Sequence, residues 1–486
     1  MMIVVAFAQD PPKKESEPTP APEPDRQVAT ESTVVINGKS IAYTATAATL
    51  TVPSDEGKPR AQFFYISYVR KDAKQPLTFS FNGGPGSSSV WLHLGLLGPK
   101  RVVMSDDATV KPPPFELVPN DLSLLDKTDL VFIDPVTTGY SRPAKGVEAK
   151  EFHGVEEDLE SVGRFVQLYV TRNNRWSSPR FLIGESYGTT RAAGLAALLQ
   201  ERYGMELSGV MLVSSILDFH IVGDGCDLSF VLFLPTFTAT AWFHRKLAPD
   251  LQKDLRKTLD AAEEFALGDY ATALLRGHRM TDVEKRATAE KVARFTGLSA
   301  EFVERANLRV TMSRFVKELR RGDRLTVGRL DSRFTGRDED AAGERNEYDP
   351  SYAAIQGPYS ESLYKYLRND LKFESDAVYE ILTGKVQPWN YGKNVVRSTL
   401  DVSTRLRAAM TKNPHLKVFV SNGYYDLATP YFATEHTFHH LELEPPLRKN
   451  VTMAYYESGH MMYIHGPSLR KQREDLSRFM DGCLNR

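Results

Sequence analysis

Cysteine is nearly absent from this chain of 486 residues, with Cys226 and Cys483 the only two. That allows at most one disulfide, and it excludes both a disulfide-stapled scaffold and a four-cysteine zinc site. An excess of charge of either sign is missing as well. The 61 basic residues face 62 acidic ones for a net charge of -1, so nothing marks a polyanion-binding surface and nucleic acid is not an expected partner. No stretch has the length and purity of a membrane span. The most apolar one, Ser229 to Phe243, is interrupted by Pro235 and several threonines, and a soluble mature protein is expected. What the chain does have is 41% hydrophobic residues, enough for a large core in one big domain with an insertion, or in two to three smaller ones.

The first residues, MMIVVAFAQ, are apolar from Ile3 to Ala8 and end in Ala6-Phe7-Ala8 before Gln9, as the small-residue close of a secretory signal does. No basic residue precedes this run, and it is shorter than the usual signal core. Residues 1–8 therefore read as a truncated signal segment, with export to the periplasm or beyond as the expectation. From Gln9 to Arg26 the composition shifts to Pro, Glu and Lys without periodicity. Such a segment buries too little apolar area to order itself, and 9–31 is assigned as a disordered tether.

Further on, β-branched residues from Thr33 to Val52 surround an Asn37-Gly38 turn, and Gln62 to Val69 alternates aromatics with smaller residues, which predicts opening antiparallel strands. Leu77 to Phe81, Leu130 to Ile133, Phe181 to Ile183, Val210 to Val213 and Val418 to Val420 are short apolar runs suited to the inside of a parallel sheet. Between them, Val155, Leu159, Val162, Phe165, Val166 and Tyr169 follow the helical period. Strand, helix, strand in this order predicts an α/β sheet. From Asp218 to Gly392 the strand signal disappears and charged helical patterns such as Pro249 to Leu267 and Asp282 to Phe295 take over. The expected division is a core at 32–217 and 393–486, interrupted by a helical cap at 218–392 placed to roof a site.

The chemistry concentrates in RFLIGESYGTTRAAGLAALL, Arg180 to Leu199. Phe181 to Ile183 reads as a buried strand and Thr189 to Gln200 as a helix, with Gly184 and Gly188 flanking the bend that carries Ser186. In a GxSxG turn the glycines avoid collisions with neighbouring backbone while the serine is held strained and exposed at a sheet edge. The N–H of Tyr187 then opens a helix, where the dipole favours a negative oxygen. A serine nucleophile needs a base and a group to orient that base. Asp426 in VSNGYYDLATP and His460 in YYESGHMMYIHG each follow a predicted strand, and the order Ser186, Asp426, His460 is that of α/β-hydrolases. Gly459 is expected to let the histidine loop come close to the serine. In SFNGGPGSSSVW, Ser80 to Trp91, three glycines and a proline follow a strand, open enough to aim the N–H of Gly84 at a developing oxyanion opposite that of Tyr187.

Together FNGGPGSSS, IDPVTTGYS, GESYGTTRAAGLA, the Asp426 loop and SGHM resemble the serine carboxypeptidase family, peptidase family S10, from about Asn37 to the C-terminus. The resemblance implies an α/β-hydrolase fold with a mostly parallel sheet, Ser186 as nucleophile, His460 as base, Asp426 as its orienter, and Gly84 with Tyr187 as the oxyanion hole. It further implies that Asn82, Gly83 and Glu185 hold the free C-terminal carboxylate of a peptide substrate. Two carboxylates share a hydrogen bond only if one is protonated, so Glu185 would have to carry a proton. The alternative for Glu185 is an ion pair with Arg191. The implied activity is release of C-terminal residues through an acyl-enzyme, with no metal or cofactor. An esterase or acyltransferase would use the same triad, and an inactive hydrolase fold would serve as a binding module.

Departures point to a leaner, bacterial branch of the family. Leu96 stands where well-known secreted members hold a second glutamate, which weakens the carboxylate grip, and Ser87 stands where they have a cysteine. His436, His439 and His440 lie three and four apart on a predicted helix, a spacing seen in metal sites, but no second ligand cluster accompanies them and an exposed helix face explains them. His465 reads as structural, and Trp242 and Phe243 as core.

Overall fold

The computed structural model describes residues 24–71, 75–223, 225–392 and 399–485. The apolar run at 1–8 and the tether as far as residue 23 lie outside the described residues. Nine strands build the main sheet: β1 (Gln27–Ile36), β2 (Lys39–Pro53), β3 (Pro59–Arg70), β4 (Leu77–Phe81), β5 (Asp129–Ile133), β6 (Arg180–Ser186), β7 (Gly209–Ser215), β8 (Lys417–Gly423) and β9 (Val451–Tyr456). Their spatial order is β1-β2-β3-β5-β4-β6-β7-β8-β9, with the short strand Arg142–Pro143 added to β3. The pairs from β1 to β5 across β2 and β3 are antiparallel. From β5 onward every neighbour is parallel. This is the α/β-hydrolase arrangement.

Successive side chains on a strand point to opposite faces, and the central strands are apolar on both. Phe79, Val131, Leu182, Leu212 and Val420 face one layer of the core; Leu130, Phe132, Ile183, Val213 and Phe419 face the other. Helix α1 (Val155–Arg172) buries all six positions picked out by its period, and α2 (Tyr187–Tyr203) follows directly on β6.

One boundary differs from the expectation. β1 starts at Gln27, inside the segment 9–31 read as a tether, because Gln27 to Glu31 pair in register with Thr44 to Ala48 of β2. The partner strand supplies the backbone hydrogen bonds that composition alone does not reveal.

Between Asp218 and Gly392 the chain is mainly helical. Its apolar segment forms α3 (Asp227–Phe243), which contains Pro235 and packs with Leu259, Val292 and Phe315 into a third apolar cluster. The Phe237 and Phe315 rings stack at 4.0 Å. The helix expected from Pro249 begins at Leu255, where the Asp254 side chain accepts the N–H of Lys257 at 3.1 Å and caps it. Thr281 and Glu284 form a capping box that starts the helix Asp282–Thr296. A two-stranded ribbon, Thr326–Val327 with Thr335–Gly336, was not visible in the sequence, since two residues carry no readable period. Among the described residues no helix is long and apolar enough to cross a membrane.

Candidate active site

β6 ends at Ser186, a partly exposed residue on an otherwise buried stretch, and α2 begins with the next residue. Ser186 has φ 59° and ψ -129°, a region that costs a non-glycine residue about 1–3 kcal/mol. The surrounding backbone is packed closely against this turn. A Cβ on Gly184 would fall 2.0 Å from the carbonyl oxygen of Gly188, and one on Gly83 would fall 2.4 Å from the Tyr187 nitrogen. The glycine-rich loop after β4 is therefore pressed directly onto the serine turn. Tyr187 N–H is among the first amides of α2, which lack partners within the helix.

Asp426 follows β8 and His460 follows β9, both buried. His460 Nδ1 donates to Asp426 Oδ2 at 2.7 Å. Asp426 is itself held: its Oδ1 accepts the N–H groups of Ala428 and Thr429 at 2.8 and 3.0 Å, and its Oδ2 accepts the Thr429 hydroxyl at 2.6 Å. Burial opposes charge on His460, but the carboxylate beside it prevails and holds its pKa above the usual imidazole value. β7 links this pair to the serine. Its Ser215 pairs with Ser186, and its Ser214 hydroxyl donates to the His460 carbonyl at 2.6 Å. The structure thus brings Ser186, Asp426 and His460 to the C-terminal ends of parallel strands, where ligands bind in open α/β sheets. A histidine so held can take a proton from a hydroxyl and be steadied as imidazolium.

Glu185 is buried one residue before Ser186. Asn82 Nδ2 donates to its Oε1 at 3.0 Å, and the Tyr463 hydroxyl donates to its Oε2. Burial is the main cause that pushes its pKa up to about 7, against the opposing effects of His460 and these two hydrogen bonds. The alternative ion pair with Arg191 is absent, because Arg191 Nε binds Asp158 Oδ2 at 2.7 Å and Arg191 Nη1 donates to the Asn82 carbonyl at 2.6 Å. Arg191 therefore fixes the strand-to-loop junction at Asn82, whose own Oδ1 accepts the N–H of Leu92 at 3.1 Å.

Two sets of contacts escaped the sequence reading. Tyr463 lies three residues after His460, yet nothing in SGHMMYIHG announces a bond to Glu185. The segment Arg329 to Arg333 grips both loops that carry Asp426 and His460. Leu330 accepts the N–H of His460 at 2.6 Å, Arg329 accepts that of Leu427 at 3.1 Å, and Ser332 N–H donates to the Tyr425 carbonyl at 3.0 Å. Asp331 Oδ2 accepts Gly459 N–H at 3.1 Å while Arg333 binds both Asp331 oxygens and donates to Ser458 Oγ at 3.0 Å. Gly459 is needed for this contact: a Cβ there would fall 2.4 Å from the Asp331 Cβ and 2.5 Å from the Leu330 carbonyl oxygen.

The remaining candidates have local partners. Leu96 is fully buried in the apolar cluster beneath the sheet. Ser87 Oγ accepts the Trp91 indole N–H at 2.9 Å. His436 and His440 stack at 3.9 Å, and His465 pairs with Ser468 at 2.8 Å beside the start of the helix Gly466–Leu484. Among the described residues no group of three or more His, Cys, Asp or Glu is placed to hold a metal ion. Cys226 and Cys483 are both free thiols.

Residues 50–466 match the family model described as serine carboxypeptidase. Among curated proteins, the chain is 29% identical over 143 residues to serine carboxypeptidase-like 5 of Arabidopsis thaliana, covering 27% of this chain and 30% of that protein. It is 26% identical over 177 residues to serine carboxypeptidase-like 46 of the same plant, covering 35% and 36%. The matches thus span about a third of the length of these relatives. The crystal structure of VinJ aligns at 13% identity and a TM-score of 0.37 over 90% of this chain and 98% of that one. With a family model matched over most of its length, the chain belongs to the serine carboxypeptidase family.

Proposed function

We propose that the chain is a serine-type carboxypeptidase of the bacterial kind, acting outside the cytoplasm on peptides with a free C-terminal carboxylate. The observation that carries this reading is Glu185, a buried carboxyl with pKa pushed up to about 7, set one residue before the strained Ser186 and bonded to Asn82. A carboxyl held neutral can donate a hydrogen bond to the carboxylate of a chain end, as the ionised form cannot. Asn82 and the backbone of Gly83 complete the proposed grip.

In the proposed reaction His460 takes the Ser186 hydroxyl proton as Oγ attacks the carbonyl carbon of the last peptide bond. Asp426 holds the imidazole tautomer and steadies the imidazolium. The oxygen that becomes negative is met by the N–H groups of Gly84 and Tyr187. The proton on His460 passes to the departing amine, the C–N bond breaks, and the terminal amino acid leaves. Water then attacks the acyl-enzyme by the same route and restores Ser186. The helical segment 218–392 is proposed to roof the site, as its grip on the Asp426 and His460 loops suggests.

The test is a pair of substrates, a peptide and its C-terminal amide, with Ser186→Ala as control. Faster loss of the terminal residue from the free acid supports the reading; equal rates, or a preference for simple esters, assigns the triad to an esterase or acyltransferase. No labelling of Ser186 by a fluorophosphonate in folded protein leaves only a binding role.

A further inference from the structure

We propose that Tyr463 is a positioning residue for Glu185, leaving recognition of a chain end under the control of one ionisation. This inference rests on the carboxypeptidase reading. The Tyr463 hydroxyl donates to Glu185 Oε2 while Asn82 Nδ2 occupies Oε1, so both oxygens of the side chain are fixed. The tyrosine ring is seated on the backbone beside Leu96: a Cβ on Gly95 would fall 2.3 Å from Tyr463 Cε2 and 2.7 Å from the Tyr359 hydroxyl. The phenol is thus packed tightly in place, and the neighbouring Leu96 is turned into the apolar core.

A tyrosine and a glutamate partner differ in what they can do with a proton. Two carboxyls in contact titrate as a coupled pair. The Tyr463 hydroxyl is buried beside an acid, and burial first, then the charge of Glu185, lift its pKa well above the ordinary tyrosine value. It therefore donates over the whole working range and never competes for the proton. The titratable groups facing Glu185 are His460 and Asp426 from the loops after β9 and β8, Tyr463 from the turn that follows, and Tyr359 from the helix Pro350–Lys365. Among them Glu185 is the carboxyl whose ionisation removes the donor offered to substrate.

The donated bond favours the ionised carboxylate, so its loss must raise the proton affinity of Glu185. The experiment is the pH dependence of KM for a free-acid peptide. In the wild type KM should rise on the alkaline side with a slope of one proton, and Glu185→Gln should abolish that rise. Tyr463→Phe should move the rise to higher pH by roughly one unit, the effect of one hydrogen bond to a charged group. Site-specific 3-fluorotyrosine at 463, a stronger donor that preserves the shape, should move it to lower pH, and this arm serves if the phenylalanine variant does not fold. A packing role alone would move neither. A rise that stays in place in both variants while Glu185→Gln abolishes it overturns the inference and spares the carboxypeptidase reading. A wild type without preference for the free acid overturns both.

Discussion

The backbone N–H of His460 donates to the carbonyl oxygen of Leu330 at 2.6 Å, so the histidine is anchored to the helical segment as well as to its own strand. The same short segment holds the Asp426 loop through Arg329 and Ser332. The two loops, carrying the proposed base and its proposed orienter, are thereby referred to one piece of backbone, and their separation depends on it. Preorganisation of this kind matters because a displacement of about 1 Å at a reacting group can cost on the order of a hundredfold in rate.

The buried ion pair of Asp331 and Arg333 holds that segment against Ser458 and Gly459. Asp331→Ala leaves a guanidinium uncompensated in the interior, and a loss of about 3–5 kcal/mol in urea unfolding is expected. The double variant Asp331→Leu, Arg333→Met removes both charges and should recover most of that stability. It should not recover rate, because the tethers to Gly459 and Ser458 are gone; kcat is expected to stay lower by about tenfold to a hundredfold. Full recovery of kcat in the double variant would show that the segment merely packs.

Gly184→Ala tests the backbone contact behind the strained serine. The added methyl would meet the Gly188 carbonyl oxygen at 2.0 Å, and this obstacle is backbone at the start of α2, not the end of a flexible side chain. We expect a stability loss of about 1–3 kcal/mol from overpacking and a fall in hydrolysis of more than about a hundredfold. Gly268→Ala is the contrast. Nothing lies within 4 Å of a Cβ there, and its helical setting predicts a neutral change or a gain of up to about 1 kcal/mol. Wild-type activity in Gly184→Ala would refute the need for a bare backbone at the turn.

The central strands were legible because a strand buried on both faces is written as an apolar run, and Leu77 to Phe81 or Val210 to Val213 has no polar member to blur it except the Thr78 and Ser80 hydroxyls. Asp426 and His460 were legible through their order and strand-end context. Asp331 was not, because its partner Gly459 lies 128 residues away and a short irregular segment carries no period. Tyr463 was hidden for another reason: its hydroxyl acts through the chain's fold onto Glu185, 278 residues earlier. Gln27 to Glu31 looked unstructured because the ordering partner is β2, and pairing is not a property of composition.

The free state of Cys226 and Cys483 predicts that a reductant leaves the melting temperature unchanged. Burial pushes the Cys483 thiol up to about 11, so alkylation of Cys483 in native protein at neutral pH should be slower than that of a small-molecule thiol, since only the thiolate reacts. A melting temperature that drops on reduction would require a disulfide.

Glu185 also makes stability depend on pH in a definite direction. Its carboxyl is ordinary at 4.5 in the unfolded chain and raised to about 7 in the native one, chiefly by burial; Asp134, likewise buried, is raised from 3.8 to about 7. Below the unfolded value both states are protonated and the group contributes nothing to the slope. Between that value and about 7 the native state holds a proton that the unfolded state has released, so stability falls as pH rises, by on the order of 3 kcal/mol for Glu185 across the window. His460, whose pKa is raised by Asp426, acts in the same direction: the stability it contributes is present below the unfolded imidazole value and is lost as pH climbs through the native one. Glu185→Gln cannot ionise, so its stability curve should be flatter than that of the wild type. The variant should gain relative to wild type from pH 5 to 8 in urea unfolding, and a difference between the two that does not change with pH would mean that Glu185 is ionised throughout and cannot offer a proton to a chain end.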